Sequence, residues 1–435
     1  MHRYLYFVTM ENTPFAYTTI TKESDLNSLI EEVGDARIVM LGEASHGTSE
    51  YYTWRTAITK KLMQEKGFNF VAVEGDWPEC YTINRFIKGY ADSGTKIADV
   101  LQVYKRWPTW MWANWETAAL VEWLRDFNHI RNGAEKVGFY GLDVYSLWES
   151  LEQIVNYLDR TDGKAADAAR IAINCFEPFN RDPQTYAHAT AFVPTDCEKE
   201  VIDMLQRVQR HPPVTGDHEF DFNTEQNALV AVNAEKYYRA MVKGGSDSWN
   251  VRDSHMMETL DRLLDLHGPD SKAIVWEHNT HIGDARATDM ADDGMYNIGQ
   301  LAREKYGHDQ VKLIGFGSYQ GTVIAGKSWG ATMQKMDVPP ARKGSWEELL
   351  HRINSEDKLV FSKDLKDVPE LQTHIGHRAI GVVYDPKFEQ YGNYVPTLIP
   401  ERYDAFLYFD ETEAVHPLHF KTKSGQQPDL YPWAY

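Results

Sequence analysis

The sequence predicts an α/β fold: a mostly parallel β-sheet flanked by helices, with a large helical insertion forming a lid or wall over a cleft. Three observations predict it. Five apolar runs, each nearly continuous in Val, Ile, Leu, Phe and Ala, stop at a polar or glycine-rich step, as strands buried on both faces do. Helical stretches such as 48–66 and 116–131 separate several of them at the spacing of βαβ units. After about residue 150 the pattern changes to long helices and stays so to about 270.

The runs are "ARIVMLGE" (36–43), "FNFVAVEGD" (68–76), "KVGFYGLD" (136–143), "KAIVWEHN" (272–279) and "VKLIGFGS" (311–318). A later pair, "RAIGVVYD" (378–385) and "DAFLYFD" (404–410), is expected to extend the same sheet. Within the helical block, Leu229, Val232, Tyr237, Ala240 and Met241 form one stripe, and Met256, Leu260, Leu263 and Leu264 another. "RHPPVTGDHEFDF" (210–222) is expected to be a connecting loop. The organisation is therefore a first part of the α/β core over 1–150, a helical insertion over 151–270 and a second part of the core over 271–435.

At 435 residues and 43% hydrophobic, the chain can bury a sizeable core. Its net charge of −19 argues against nucleic acid or an anionic membrane surface as a partner. Cys80, Cys175 and Cys197 are odd in number, widely spaced and include no C-x-x-C pair. Neither a disulfide framework nor a zinc ribbon is expected, and a reducing, cytoplasmic setting fits. The N-terminal "MHRYLYFVTMENTPFAY" is too interrupted for a signal peptide, and no run approaches the ~18 apolar residues of a membrane span.

In an open parallel sheet, ligands bind outside the carboxyl ends of the strands. Here those ends carry Glu43 and His46, then Glu74 and Asp76, then Asp143, then Glu277, His278 and His281. Carboxylates beside three histidines have two chemical uses. A histidine can act as general base on water, with Glu74 the natural orienter of His46 and His278 or His281 stabilising an oxyanion or protonating the leaving group. Alternatively His46, Glu74, His278 and His281 would ligate Zn²⁺ or a similar divalent ion. Plainer roles exist for each: Ser45 or Thr48 as the N-cap of the next helix, Asp143 as a turn residue, Arg55 as an ion-pair partner of Glu43 or Glu50. The agreement of four strand ends favours a site.

Tryptophans give a second signal. "RWPTWMWANW" (106–115) holds four, and Trp77 and Trp148 follow strand ends, a density that fits the wall of a large apolar cleft. Trp77, Trp110, Trp112 and Asp143 are the candidate substrate-binding residues. "GKSWG" (326–330) matches the G-x-S-x-G elbow, but only "TVIA" precedes it and two prolines follow closely, so a Ser328 nucleophile is not expected. "GFGSYQG" (315–321) fits neither the dinucleotide fingerprint nor the P-loop.

These same residues carry a resemblance. "LGEASHGTSEYYTWR" (41–55), "VAVEGDWPE" and "WEHNTHIGD" are similar, in order, to the motifs of the erythromycin esterase family, with Glu43, His46, Arg55, Glu74, His278 and His281 in the matching places. "VRDSHMMETL", with Arg252 and Asp253, is similar to a further segment of the family at a helix start, where capping would account for Asp253. The resemblance implies an α/β core with a helical insertion and hydrolysis of a macrolide lactone ester such as that of erythromycin. The base would be His46, acting on water without a serine acyl-enzyme. No cofactor is implied, although the motifs are compatible with a divalent metal. The blocks beginning "DARATDMADDG" and "GHRAIGVVYDP" resemble chromosomal family members of undefined substrate, which widens the expectation to other esters or lactones. The partner is thus a small-molecule ester or lactone. The two rival readings are a metal-dependent hydrolase built on the same cluster and a non-catalytic binder of a large apolar molecule.

Overall fold

The apolar runs fold as strands because each alternates its side chains between two covered faces. The computed structural model describes residues 15–161, 163–179, 183–192, 196–210 and 217–418. Strands β1 (Thr18–Thr19) and β2 (Ile38–Leu41) precede helix α1 (Ser49–Glu65). Strand β3 (Phe70–Asp76) runs straight into α2 (Trp77–Lys88), and α3 (Trp115–His129) leads to β4 (Gly138–Asp143). The helical block follows as α4 (Leu147–Thr161), α5 (Gly163–Phe176), α6 (Pro183–Phe192), α7 (Glu198–Arg210), α8 (His218–Met241) and α9 (Asp247–His267). The chain returns through β5 (Ala273–Trp276), the single turn α10 (Asn279–Ile282), α11 (Ile298–Tyr306) and β6 (Val311–Ala325). It ends with β7 (Gln334–Val338), α12 (Trp346–Ile353), β8 (Lys358–Phe361), β9 (Ile375–Arg378), β10 (Tyr394–Thr397) and β11 (Ala405–Thr412).

The main sheet has the order β1-β8-β11-β6-β2-β5-β3-β4, with β7 paired to β6. From β11 to β4 every neighbour is parallel, while β1, β8 and β7 add antiparallel edges. Ile38 and Met40 face one helical layer and Val39 and Leu41 the other, so the central strand is apolar at every position. On the first face lie Met256, Leu260, Leu263 and Leu264 of α9; on the second, Tyr52, Ile58 and Leu62 of α1. The sheet is the mostly parallel, helix-flanked α/β architecture read from the sequence.

"DAFLYFD" becomes β11, but "RAIGVVYD" does not join the sheet. Only Arg378 is in a strand, at the end of β9, which pairs with β10 in a separate two-stranded ribbon. Residues 379–385 are a loop whose Ile380 and Tyr384 pack on Val323, Met336 and Val338 and which makes single bridges to Ser45 and Gly326, both beyond the ends of strands. Its apolarity serves that small cluster and not a sheet.

Helices α4 to α8 share a core of their own around Leu151, Phe176, Tyr186, Met204 and Tyr238. On α8 the fully buried face is Ala228, Ala231 and Ala234 with Tyr238; Val232, Tyr237, Ala240 and Met241 of the expected stripe are only partly buried. Of the expected loop at 210–222, Arg210 ends α7, residues 211–216 lie outside the described residues, and 218–222 form the first turns of α8, capped by Asp217. Cysteine usage is a correction: Cys175, at the end of α5, and Cys197, just before α7, form a disulfide. Their 22-residue spacing, with α6 between them, carries no motif that would reveal the pairing. Cys80 is a buried thiol. Most of the N-terminal stretch judged against a signal peptide lies outside the described residues. No helix among the described residues is long and apolar enough to cross a membrane.

Candidate active site

The parallel order β2-β5-β3-β4 sets four strand ends side by side, and a cavity of ≈ 360 Å³ opens above them. His46, Glu74, Asp143, His278 and His281 all line it. Glu43 and Arg55 do not; they sit behind His46 as its support. Glu43 Oε1 meets His46 Nδ1 at 2.9 Å, and Glu43 Oε2 accepts from Arg55 Nη2 at 2.6 Å. Arg55 is fully buried, its guanidinium 4.7 Å from the centre of the Tyr52 ring and 4.5 Å from that of Trp276. The orienter of His46 is therefore Glu43, three residues away in the same turn, and not Glu74 as the sequence suggested. A carboxylate on Nδ1 holds the Nδ1–H tautomer and leaves Nε2 as the basic nitrogen for the cavity.

The turn that carries His46 has no room for side chains. A Cβ on Gly47 would stand 2.0 Å from the Ile324 carbonyl oxygen, and Gly47 O itself accepts from Ile324 N and Val415 N. Gly47→Ala is expected to push β6 away and cost roughly 1–3 kcal/mol, read as a lowered urea midpoint at unchanged m-value. Thr48 stands at the N-cap position of α1, yet neither it nor Ser45 caps the helix by side chain; their hydroxyls bond to each other. The first turn is held instead by Glu413, whose carbonyl accepts from Ser49 N and whose N–H donates to the Glu50 carboxylate.

Glu74 belongs to a second network centred on Arg252, from α9. Arg252 donates to both oxygens of Asp143 (2.9 and 2.7 Å), to Glu74 Oε1 (2.6 Å) and to His281 Nε2 (2.8 Å). The other Glu74 oxygen accepts the His278 backbone N–H at 2.9 Å. His281 is fixed on every side: Nδ1 lies 3.0 Å from both Asp253 oxygens, and its ring stacks on Trp249 at 4.4 Å. Asp253 does not cap its own helix, whose N-cap is Ser246; it accepts the Ile298 N–H at the start of α11, whose N-cap is Asn297. His278 Nδ1 accepts from the Thr280 N–H, which places its proton on Nε2, and that buried atom has no partner among the described residues. The His278 and His46 rings are 5.0 Å apart.

Electrostatics separate the histidines. Burial would lower the His46 pKa, but the nearby Glu74 charge and the hydrogen bond to Glu43 outweigh it and leave it raised above 6.5. Burial together with the neighbouring His46 charge pushes His278 well down, so it stays neutral. Burial works against the Glu74 anion, yet His281, Arg252 and His46 hold its pKa well below the usual range. Glu277, at the end of β5, is the opposite case: burial drives its pKa well up, and neither carboxyl oxygen has a partner among the described residues.

The ligands named for a metal, His46, Glu74, His278 and His281, have little left to offer one. Both Glu74 oxygens and both His281 nitrogens are engaged, and the cation between them is Arg252. The set whose ligand atoms lie within 4.8 Å of one another is Glu43, His46 and Glu74, and Glu43 is likewise occupied by His46 and Arg55.

Of the candidate substrate-binding residues, Trp112 and Asp143 line the cavity, Trp112 donating to the Glu74 carbonyl. Trp77 and Trp110 do not. Trp77 is in the core, stacked on Tyr140 and bonded to Asn223, and Trp110 is buried under Trp107. The cavity wall also holds Trp107, from the tryptophan-rich stretch read as a cleft wall, together with Arg252, Tyr145, Trp249, Arg106 and Trp329, five residues without a place in the site as read from sequence. A signal existed for two: Trp249, Arg252 and Asp253 share one helical face at i, i+3, i+4 on the turn before the apolar stripe of α9. Ser328 is exposed in the turn between β6 and β7, with no helix behind it, and "GFGSYQG" lies within β6, so neither pattern has its functional context.

The erythromycin esterase family model matches residues 63–412, most of the chain. Erythromycin esterase type II of Escherichia coli is 25% identical over 378 residues, spanning 80% of this chain and 86% of its own. A crystal structure of a succinoglycan biosynthesis protein superposes with a TM-score of 0.74 at 20% identity, covering 92% of this chain and 95% of that one. A mutant of erythromycin esterase EreC in its open conformation gives 0.67 at 15% identity, covering 91% and 98%. These two structures share the fold.

Proposed function

Because the chain belongs to the erythromycin esterase family and is an esterase-type hydrolase, we propose that it opens a macrolactone or related carboxylic ester with a water activated by His46. The observation that carries this reading is the Arg55–Glu43–His46 chain, which fixes one imidazole nitrogen and presents the other to the cavity. His46 Nε2 takes a proton from water as the oxygen attacks the ester carbon, Glu43 holds the imidazolium that forms, and that proton passes to the leaving alkoxide as the tetrahedral intermediate collapses and the ester C–O bond breaks. The His278 Nε2–H, buried and without a partner, is placed to donate to the developing oxyanion or leaving oxygen, and Arg252 lends positive charge to the same wall. His281 receives a hydrogen bond from Arg252 and is locked by Asp253, which supports a role in holding Arg252 in place.

The engaged donors around Arg252 support chemistry without a resident metal, and the exposed, helix-less setting of Ser328 supports the absence of a serine acyl-enzyme. The substrate is a small-molecule ester; the cytoplasmic setting expected from cysteine usage loses its support, because Cys175 and Cys197 are disulfide-bonded.

The pH dependence tests the assignment. Only neutral His46 accepts a proton, and its pKa is raised above 6.5, so kcat/KM is expected to climb with pH along a limb lying above that value. Glu43→Gln removes a hydrogen bond and a charge that raise this pKa, so the limb moves to lower pH while the plateau falls. A limb that stays in place in Glu43→Gln would sink the assignment.

A further inference from the structure

A cavity of ≈ 360 Å³ is at the small end for a ligand site, roomy enough for the reacting ester and a short arm of substrate. Exposed apolar side chains collect on two segments, each of which also contributes residues to the cavity wall. Six large apolar side chains are strongly exposed among the described residues, and four of them, Trp329, Val383, Phe388 and Tyr391, lie on just two segments. One is the β6–β7 turn; the other is the segment 379–393, of which the part to residue 385 was expected to be a strand. The two are tied together, Gly326 N donating to Val382 O and Tyr384 N to Gly326 O, both at 2.9 Å. Trp329 and Val382 line the cavity itself.

Trp329 is 62% exposed, yet it is not loose. Its ring lies 4.7 Å from that of Trp107, which donates through Nε1 to Ala331 O in the same turn and packs edge-on against buried Trp110 at 5.4 Å. Three indoles thus run from the core to the rim, and the outermost keeps a face uncovered. Scattered exposed hydrophobics need no explanation, but a cluster continuous with a cavity marks a place where a ligand is desolvated. We propose that Trp329, backed by Trp107, forms a specificity platform at the cavity mouth that takes up a bulky apolar ring of the substrate while the ester group reaches His46 below. This inference rests on the ester-hydrolase reading and adds which part of the substrate is recognised, and by what.

The test compares wild type, Trp329→Ala and Trp329→Phe in two assays. In the first, calorimetry measures the Kd of a macrocyclic lactam, a ring of the required kind that the enzyme does not turn over. Trp329→Ala is expected to bind it roughly three- to tenfold more weakly, with Trp329→Phe close to wild type. In the second, the ratio of kcat/KM for a macrocyclic lactone to that for p-nitrophenyl acetate is expected to fall by a similar factor in Trp329→Ala. A lactam that fails to bind wild type, or equal Kd values and an unchanged ratio in the alanine variant, would overturn the platform. Weakened lactam binding in an enzyme that hydrolyses neither ester would retain the platform and refute the hydrolase reading.

Discussion

His46→Asn is expected to lower kcat by about 10²- to 10⁴-fold with little change in KM, because it removes the proton acceptor while leaving the cavity walls in place. The variant should fold normally. His46 is held through Nδ1 to Glu43, and an asparagine amide preserves a donor near that position while offering no basic nitrogen to water. Steady-state kinetics together with a urea unfolding curve separate loss of chemistry from loss of structure. A fall in kcat of less than tenfold would assign the base elsewhere. No other histidine of the cluster is equipped to replace it: His278 presents a proton on Nε2, and His281 has both nitrogens engaged.

Arg252→Ala is expected to be the most damaging single change to stability in the site. Arg252 makes four hydrogen bonds to Asp143, Glu74 and His281, and its side chain is only 10% exposed. Its removal leaves the Glu74 and Asp143 carboxylates, 5% and 6% exposed, buried without their cation. Breaking one side of a buried charge network costs about 3–5 kcal/mol, visible as a large drop in the urea midpoint. Arg252→Lys would keep the charge but lose the fork that reaches three partners at once, and should recover only part of the loss. A variant as stable as wild type would mean that the network is replaced by water without penalty.

Much of this was legible in the sequence, for reasons that individual residues make clear. β2 and β5 are apolar at every position because helices cover both faces, and their ends carry Glu43 and His278 where a parallel sheet exposes them. The convergence of those ends followed from strand direction alone. The partner of His46 did not, since Glu43 and Glu74 are both acids at strand ends and only the turn geometry decides which one reaches the ring. Arg252 and Asp253 stand on α9, whose apolar stripe dominated its reading, and their partners lie more than 25 residues away in sequence. The tryptophans misled in a different way. Composition marks a cluster but not its side, so Trp77 and Trp110 went to the core while Trp107 and Trp329 line the opening. "RAIGVVYD" failed likewise, because an apolar run that lines a small cluster and a cavity rim reads like a strand.

The most direct measurement is hydrolysis of a macrocyclic lactone by wild type and His46→Asn, each with and without a strong divalent-metal chelator, following the ring-opened acid by mass spectrometry. Opening of the lactone by wild type at the same rate in both conditions, with His46→Asn inactive, is the predicted result. Turnover that disappears on chelation, or that survives in His46→Asn, would contradict water activation by His46.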